Sequence, residues 1–289
     1  MRGEDIKMDE NNLKEVEENP ITTEVKKETK TKKEQSKAGK IIDKIVTTII
    51  LLACIGGLIF SLSKLVPWLL ANISTNSVVN DVNTIAGTVD IPKDENPGVK
   101  FGINFESLLA LNPEVVGWIR IPGTTVNYAI VQTDNNDKYL KTSLDGTWNQ
   151  FGWPFMDFRN TPDFSDKNTV LYGHNIASGW MFADLTYIRN GYLGTDVEID
   201  IYRKDYRLLR YKVCSVYEIE PEPYYITTYF ANTKDFSDFA NVIVQRSKFS
   251  FNQNVGPDDN ILTLSTCTAD AKRRIVVHAK LISNEEMPR

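Results

Sequence analysis

Histidine and cysteine are scarce in this 289-residue chain, which holds only His174 and His278 and only Cys54, Cys214 and Cys267. Three cysteines cannot build a disulfide framework, and none stands in a C-x-x-C pair of the kind that marks zinc or redox work. Two isolated histidines without ligand spacing argue against a metal site. The chain also lacks a P-loop and a G-x-G-x-x-G, so no phosphate-cradling loop is legible. Positive charge is not in surplus either. A formal net charge of −5 argues against a nucleic-acid partner, because phosphate recognition draws on clustered Lys and Arg.

What is present is unevenly distributed. Residues 1–40 contain no aromatic side chain and are dense in Lys, Glu, Thr and Asn, so they cannot bury enough apolar surface to offset chain entropy and are expected to be a disordered tail. From Ile45 to Leu62 the run IVTTIILLACIGGLIFSL carries no charge. Its length at ~1.5 Å per residue, about 27 Å, matches a bilayer core, and residues 41–70 are expected to be a transmembrane anchor. The run lies too far from Met1, and lacks the small-residue site, for a cleaved signal peptide. Lysines 26, 27, 30, 32, 33, 37, 40 and 44 crowd its N-terminal side, whereas Asp81 and Asp90 lie beyond it. The positive-inside rule then puts the N-terminus in the cytoplasm and the rest of the chain outside the cell. Residues 71–100, rich in Asn, Thr, Val and Asp, are expected to be an extracellular stalk with little structure of its own.

Residues 101–289 read as one folded domain. Short strands between turn signals dominate it: VGWIRI, VNYAIVQ, NTVLYGH, DVEIDIY, RLLRYKVCSVYEIE, ILTLSTC and RRIVVHAKLI. That count suits a closed β-barrel. Two helical patches interrupt it, one around residues 179–189 and one at 235–248, where Phe236, Phe239, Ala240, Ile243 and Val244 recur at helical spacing.

The thiols can be weighed one by one. Cys54 lies inside the proposed span and is expected to be an apolar filler. Cys214 sits in mid-strand, where a cysteine is more often packed than reactive. Cys267 ends an apolar strand and precedes the polar turn TADAK, so it is both held and accessible. If the last two strands pair with Cys267 opposite Arg274, His278 faces Thr263, about 13 Å down the ladder at ~3.3 Å per residue and beyond proton-transfer reach. His278 therefore reads as structural. His174, at the end of NTVLYGHN, is the stronger imidazole partner. A nucleophile, a proton-transferring imidazole and a fixed cation are what acyl transfer requires; strand alternation alone leaves open whether Arg273 or Arg274 supplies the cation. Asp157, Asp163 and Asp166 cluster among Asn and Pro and are expected to be solvated turn formers.

TLSTC at Thr263–Cys267, Arg274 leading into IVVHAKL, and LYGHN at Leu171–Asn175 resemble the Cys, Arg and His motifs of sortases. The stretches NPEVVGWIRIPGTTVNYAIVQTDNNDKYL and GWPFMDFRN resemble class B members in particular. The resemblance implies a mainly β fold, a closed eight-stranded sortase-type barrel with peripheral helices, behind one N-terminal transmembrane helix. It implies a cysteine transpeptidase of Gram-positive bacteria, with Cys267 as nucleophile, His174 as general acid and base and Arg274 at the oxyanion. Asn127, Val131, Tyr225, Ile226 and Ser265 match positions that line the sorting-signal groove. The implied partners are surface proteins bearing a C-terminal sorting signal, a cell-wall precursor amine and the membrane; no cofactor follows. A membrane-bound cysteine endopeptidase, a pilus-polymerising sortase and a non-catalytic adhesion domain are the alternatives. Two departures from the family pattern stand out: only six residues separate Cys267 from Arg274, and Ala129 occupies a position where many relatives carry Pro.

Overall fold

The computed structural model describes residues 20–88 and 102–287, with side chains from residue 37 onward. The expectations for residues 1–19 and 89–101 lie outside the described residues. Helix α1 (Pro20–Ala86) is divided between two compact units, one ending at Leu65 and the other beginning at Val66.

In the first unit, residues 20–40 are helical rather than disordered. A composition that denies a hydrophobic core does not deny a helix, because Lys, Glu and Gln are strong helix formers. The apolar run that follows lies in a helix long and apolar enough to cross a membrane, and none of its most apolar window is buried.

The second unit begins well before residue 101, and the expected stalk is structured as far as the described residues reach. Ala71, Thr75, Val78, Val82 and Ala86 are buried on one face of α1, at the spacing of four, three, four and four that marks a helical stripe. Val78, Val79, Val82 and Ala86 join the main core. Polar contacts fix the docking: Asn149 donates to Thr75 Oγ1 at 2.8 Å and Trp180 Nε1 to Asn72 Oδ1 at 2.7 Å. The Asn and Thr residues that read as linker are the groups that hold this helix in place.

After α2 (Phe105–Leu111), capped by Asn104 accepting from Ser107 N at 3.0 Å, the chain enters the barrel. Its strands are β1 (Val115–Arg120), β2 (Asn127–Val131), β3 (Phe155–Met156), β4 (Asn168–Tyr172), β5 (Glu198–Arg203), β6 (Arg207–Ile219), β7 (Ile261–Cys267) and β8 (Arg274–Glu286). The order around the closed barrel is β1-β2-β3-β4-β7-β8-β6-β5, with β5 returning to pair with β1. Seven strands correspond to the apolar runs; the eighth, β3, has two residues and no period to read. Helix α3 (Leu185–Asn190) is shorter than the expected patch. Helix α4 (Thr233–Gln245) lies just before β7 and buries Phe236, Phe239, Ala240 and Ile243 against Ile261.

The β7–β8 hairpin has the register anticipated from the sequence, with Cys267 opposite Arg274 and Thr263 opposite His278. His278 is fully buried, and its ring nitrogens meet Thr263 Oγ1 and Tyr217 Oη, each at 2.8 Å. Burial, with the Arg246 charge adding to it, pushes its pKa down to about 3. An unfolded chain would protonate this histidine below about pH 6.5, whereas the native chain would not. Native stability is therefore expected to fall as pH drops from about 6.5 towards 3, by roughly 2 to 3 kcal/mol at pH 4.5 from this group alone. Thermal melts of the chain and of His278→Gln at pH 7 and 4.5 would test this; an equal acid shift in both would refute it.

Candidate active site

Parallel pairing of β4 with β7, Tyr172 beside Ser265, brings the His174 and Cys267 segments to the same end of the barrel. Asn175 Nδ2 ties the two segments again by donating to the Cys267 carbonyl at 2.9 Å. Glycine is needed before His174: a Cβ at Gly173 would sit 2.7 Å from the Phe182 ring, closer than real contacts allow. A cavity of about 290 Å³ opens here, and His174, Cys267 and Arg274 all line it.

Each of the three is held differently. Cys267 is half-buried at the end of β7. His174 Nε2 lies 2.9 Å from the Leu140 carbonyl; a carbonyl only accepts, so Nε2 carries its hydrogen in this contact. The Arg274 guanidinium reaches the turn carbonyls of Ala271 at 3.5 Å and Arg273 at 3.3 Å. Among the described residues no carboxylate pairs with it. Arg273 points elsewhere, donating to the Glu218 carbonyl at 3.1 Å and pairing with the Glu218 carboxylate at 3.6 Å.

Of the expected groove residues, Tyr225 and Ser265 line this cavity and join each other through their hydroxyls at 3.2 Å. Burial raises the Tyr225 pKa above its ordinary value, partly offset by the Ser265 hydrogen bond and the Arg274 charge. The other three do not line it. Asn127 accepts from Trp118 Nε1 at 2.8 Å and borders a separate, polar cavity between α1 and the barrel. Val131 is fully buried where β2 meets Phe155 of β3. Ile226 packs beside Tyr217, Tyr225 and Val276, in the 3-10 turn Tyr224–Ile226.

Sequence reasoning missed Asn136, Leu140, Phe155 and Tyr172, which complete the wall, and Thr266, whose buried hydroxyl has no partner among the described residues. Tyr172 was within reach, being two residues before His174; Asn136 and Leu140 arrive from a loop that carries no periodic signal. The acidic cluster also needs correction. Asp163 and Asp166 do serve turns, accepting from Ser165 N and Thr161 N. Asp157 is instead fully buried and grips Arg159 at 2.8 and 2.7 Å. Its burial would raise the carboxyl pKa, but Arg159 and the Tyr172 hydroxyl together hold it below the usual carboxylate value. A carboxylate can be buried when its partners supply charge and donors.

Residues 119–282 match the sortase domain as a sequence family. The chain belongs to the sortase family. It is 34% identical over 238 residues to sortase B of Listeria monocytogenes, covering 80% of this chain and 95% of that one. Its fold matches sortase B from Bacillus anthracis with a TM-score of 0.63 at 30% identity, over 74% of this chain and 99% of that one. It also matches a Staphylococcus aureus sortase B–substrate complex with a TM-score of 0.56 at 34% identity, over 62% of this chain and 85% of that one. These similarities make the chain a class B sortase, a cysteine transpeptidase, and the cavity at the β4–β7 rim is its candidate active site.

Proposed function

We propose that this class B sortase is anchored by α1 with its N-terminus in the cytoplasm, and that outside the cell it cleaves C-terminal sorting signals and joins the released protein to a cell-wall amine. The observation that carries the chemistry is the convergence of a thiol, an imidazole and an arginine on one cavity. Cys267, as thiolate, attacks the carbonyl carbon of the scissile peptide bond, and the negative charge passes to the carbonyl oxygen. Arg274 is the donor for that oxyanion, since among the described residues its guanidinium is engaged by the turn carbonyls of Ala271 and Arg273 and by no carboxylate. His174, as imidazolium, protonates the leaving amine as the C–N bond breaks, leaving a thioacyl enzyme. The incoming amine then gives its proton to His174 and forms the new amide while the thiolate departs.

The anchor reading rests on the uncharged run in α1 and on the lysines before it. Incubating the detergent-solubilised full chain with a library of pentapeptide sorting signals, with and without an amine acceptor, should give peptide–amine conjugates by mass analysis. Hydrolysis alone, undiminished by the amine, would replace transpeptidation with endopeptidase activity. Protease added to intact wall-stripped cells should digest the barrel; protection would overturn the orientation.

A further inference from the structure

Three parts of the cavity wall converge on one ion pair, between the buried Asp157 carboxylate and the more exposed Arg159. Asp157 Oδ2 accepts from Asn136 Nδ2 at 3.1 Å and from Tyr172 Oη at 2.8 Å, and both donors line the cavity. Asn136 returns the contact by accepting from Phe158 N at 3.0 Å. Arg159 completes the set, since the guanidinium held by Asp157 also donates to the Ile226 carbonyl at 3.0 Å. That carbonyl ends the short turn that carries Tyr225. Asn136, Tyr172 and Tyr225 belong to three chain segments that share no ladder with one another, and none of the contacts touches Cys267, His174 or Arg274.

We propose that Asp157 and Arg159 are positioning residues for substrate: the pair sets the distance between the Asn136–Tyr172 wall and the Tyr225 wall, and so the width in which a peptide is gripped. The turn has a second tether, Asn168 Nδ2 donating to the Thr227 carbonyl at 2.8 Å, so it keeps its place in the fold when Arg159 is removed but loses its tie to Asp157. The inference rests on the transpeptidase reading, yet its geometry can be tested apart from it.

The probe is the labelled pentapeptide that the wild-type chain turns over best, titrated into the detergent-solubilised full chain carrying Cys267→Ala. Adding Arg159→Ala should weaken its binding about tenfold, the scale of one hydrogen bond to a charged group. Arg159→Lys should recover only part, because an ammonium cannot hold Asp157 and the Ile226 carbonyl in one planar fork. With Cys267 intact, the Arg159→Ala chain should react with iodoacetamide at the wild-type rate. Amide hydrogen exchange over residues 224–227 should accelerate in the same variant. Unchanged peptide binding in a folded Arg159→Ala chain would overturn the proposal, as would alkylation falling in step with binding, which would place the effect on the nucleophile. Faster exchange in a chain whose wild type turns over no peptide would uphold the coupling of the walls and reject the substrate reading instead.

Discussion

Cys267→Ala is expected to abolish thioacyl formation while leaving the fold intact, whereas Cys214→Ala is expected to keep full turnover. The two thiols differ in burial and in what lies beside them. Cys214 is the extra residue at a register shift between Val213 and Ser215 of β6 and is 2% exposed. Its Sγ donates to the His278 carbonyl at 3.3 Å, and burial pushes its pKa up to about 12. It is therefore a protonated filler at neutral pH, and His278, whose carbonyl it meets, has both ring nitrogens engaged by Thr263 and Tyr217. Cys267 lies at the strand end, on the cavity shared with His174. Truncating a half-buried thiol should cost at most about 1 kcal/mol of stability. Mass analysis of the acyl adduct decides the matter: an adduct that survives Cys267→Ala, or disappears with Cys214→Ala in a folded chain, would defeat the assignment.

Arg274→Ala is expected to lower turnover on the order of a hundredfold to a thousandfold, since one charged donor to a developing oxyanion is worth roughly 3 to 4 kcal/mol. Arg274→Lys should recover part of this through charge alone. Arg273→Ala should be nearly silent, because its side chain is half exposed and pairs with Glu218, and an exposed pair of this kind contributes under about 1 kcal/mol. Steady-state kinetics on the three variants would check the order. A larger loss in Arg273→Ala than in Arg274→Ala would move the oxyanion donor to Arg273.

The parts of this molecule that were legible in its sequence are those with a period or a terminus. Strands buried on alternate or both faces announce themselves, and the β7–β8 hairpin has the register posed as a condition, Cys267 opposite Arg274 and Thr263 opposite His278, whereas the choice of Arg274 over Arg273 comes from the family resemblance. Phe155 and Met156 had no such signal, because two residues make no pattern and β3 exists only through its partners Val131 and Tyr172. Residues 71–86 misled in the opposite way. Their Asn and Thr side chains satisfy polar groups on the barrel, so a helix buried on one face looked like a linker. Asp157 misled because burial of a carboxylate depends on Arg159 and Tyr172 meeting it in space, which neighbouring letters do not state. Asn127, Val131 and Ile226 are placed by the resemblance rather than by periodicity, and in this chain they border the barrel interior or other clefts.

The parallel pairing of β4 with β7 also governs when the molecule can begin to work. Antiparallel neighbours such as β1 and β2, joined by a short turn, can pair as soon as both have been made. Asn175 and the Cys267 carbonyl, by contrast, are 92 residues apart in the chain, and loop-closure entropy must be met before their contact stabilises anything. The thiol arrives on the second-last strand of the barrel, so the earlier strands must wait for it, with β4 exposing an unpaired edge in the meantime. A nascent sortase therefore passes through its vulnerable, aggregation-prone stage with no assembled nucleophile site. The thiol and the imidazole can therefore meet only after β7 has been made and has paired with β4.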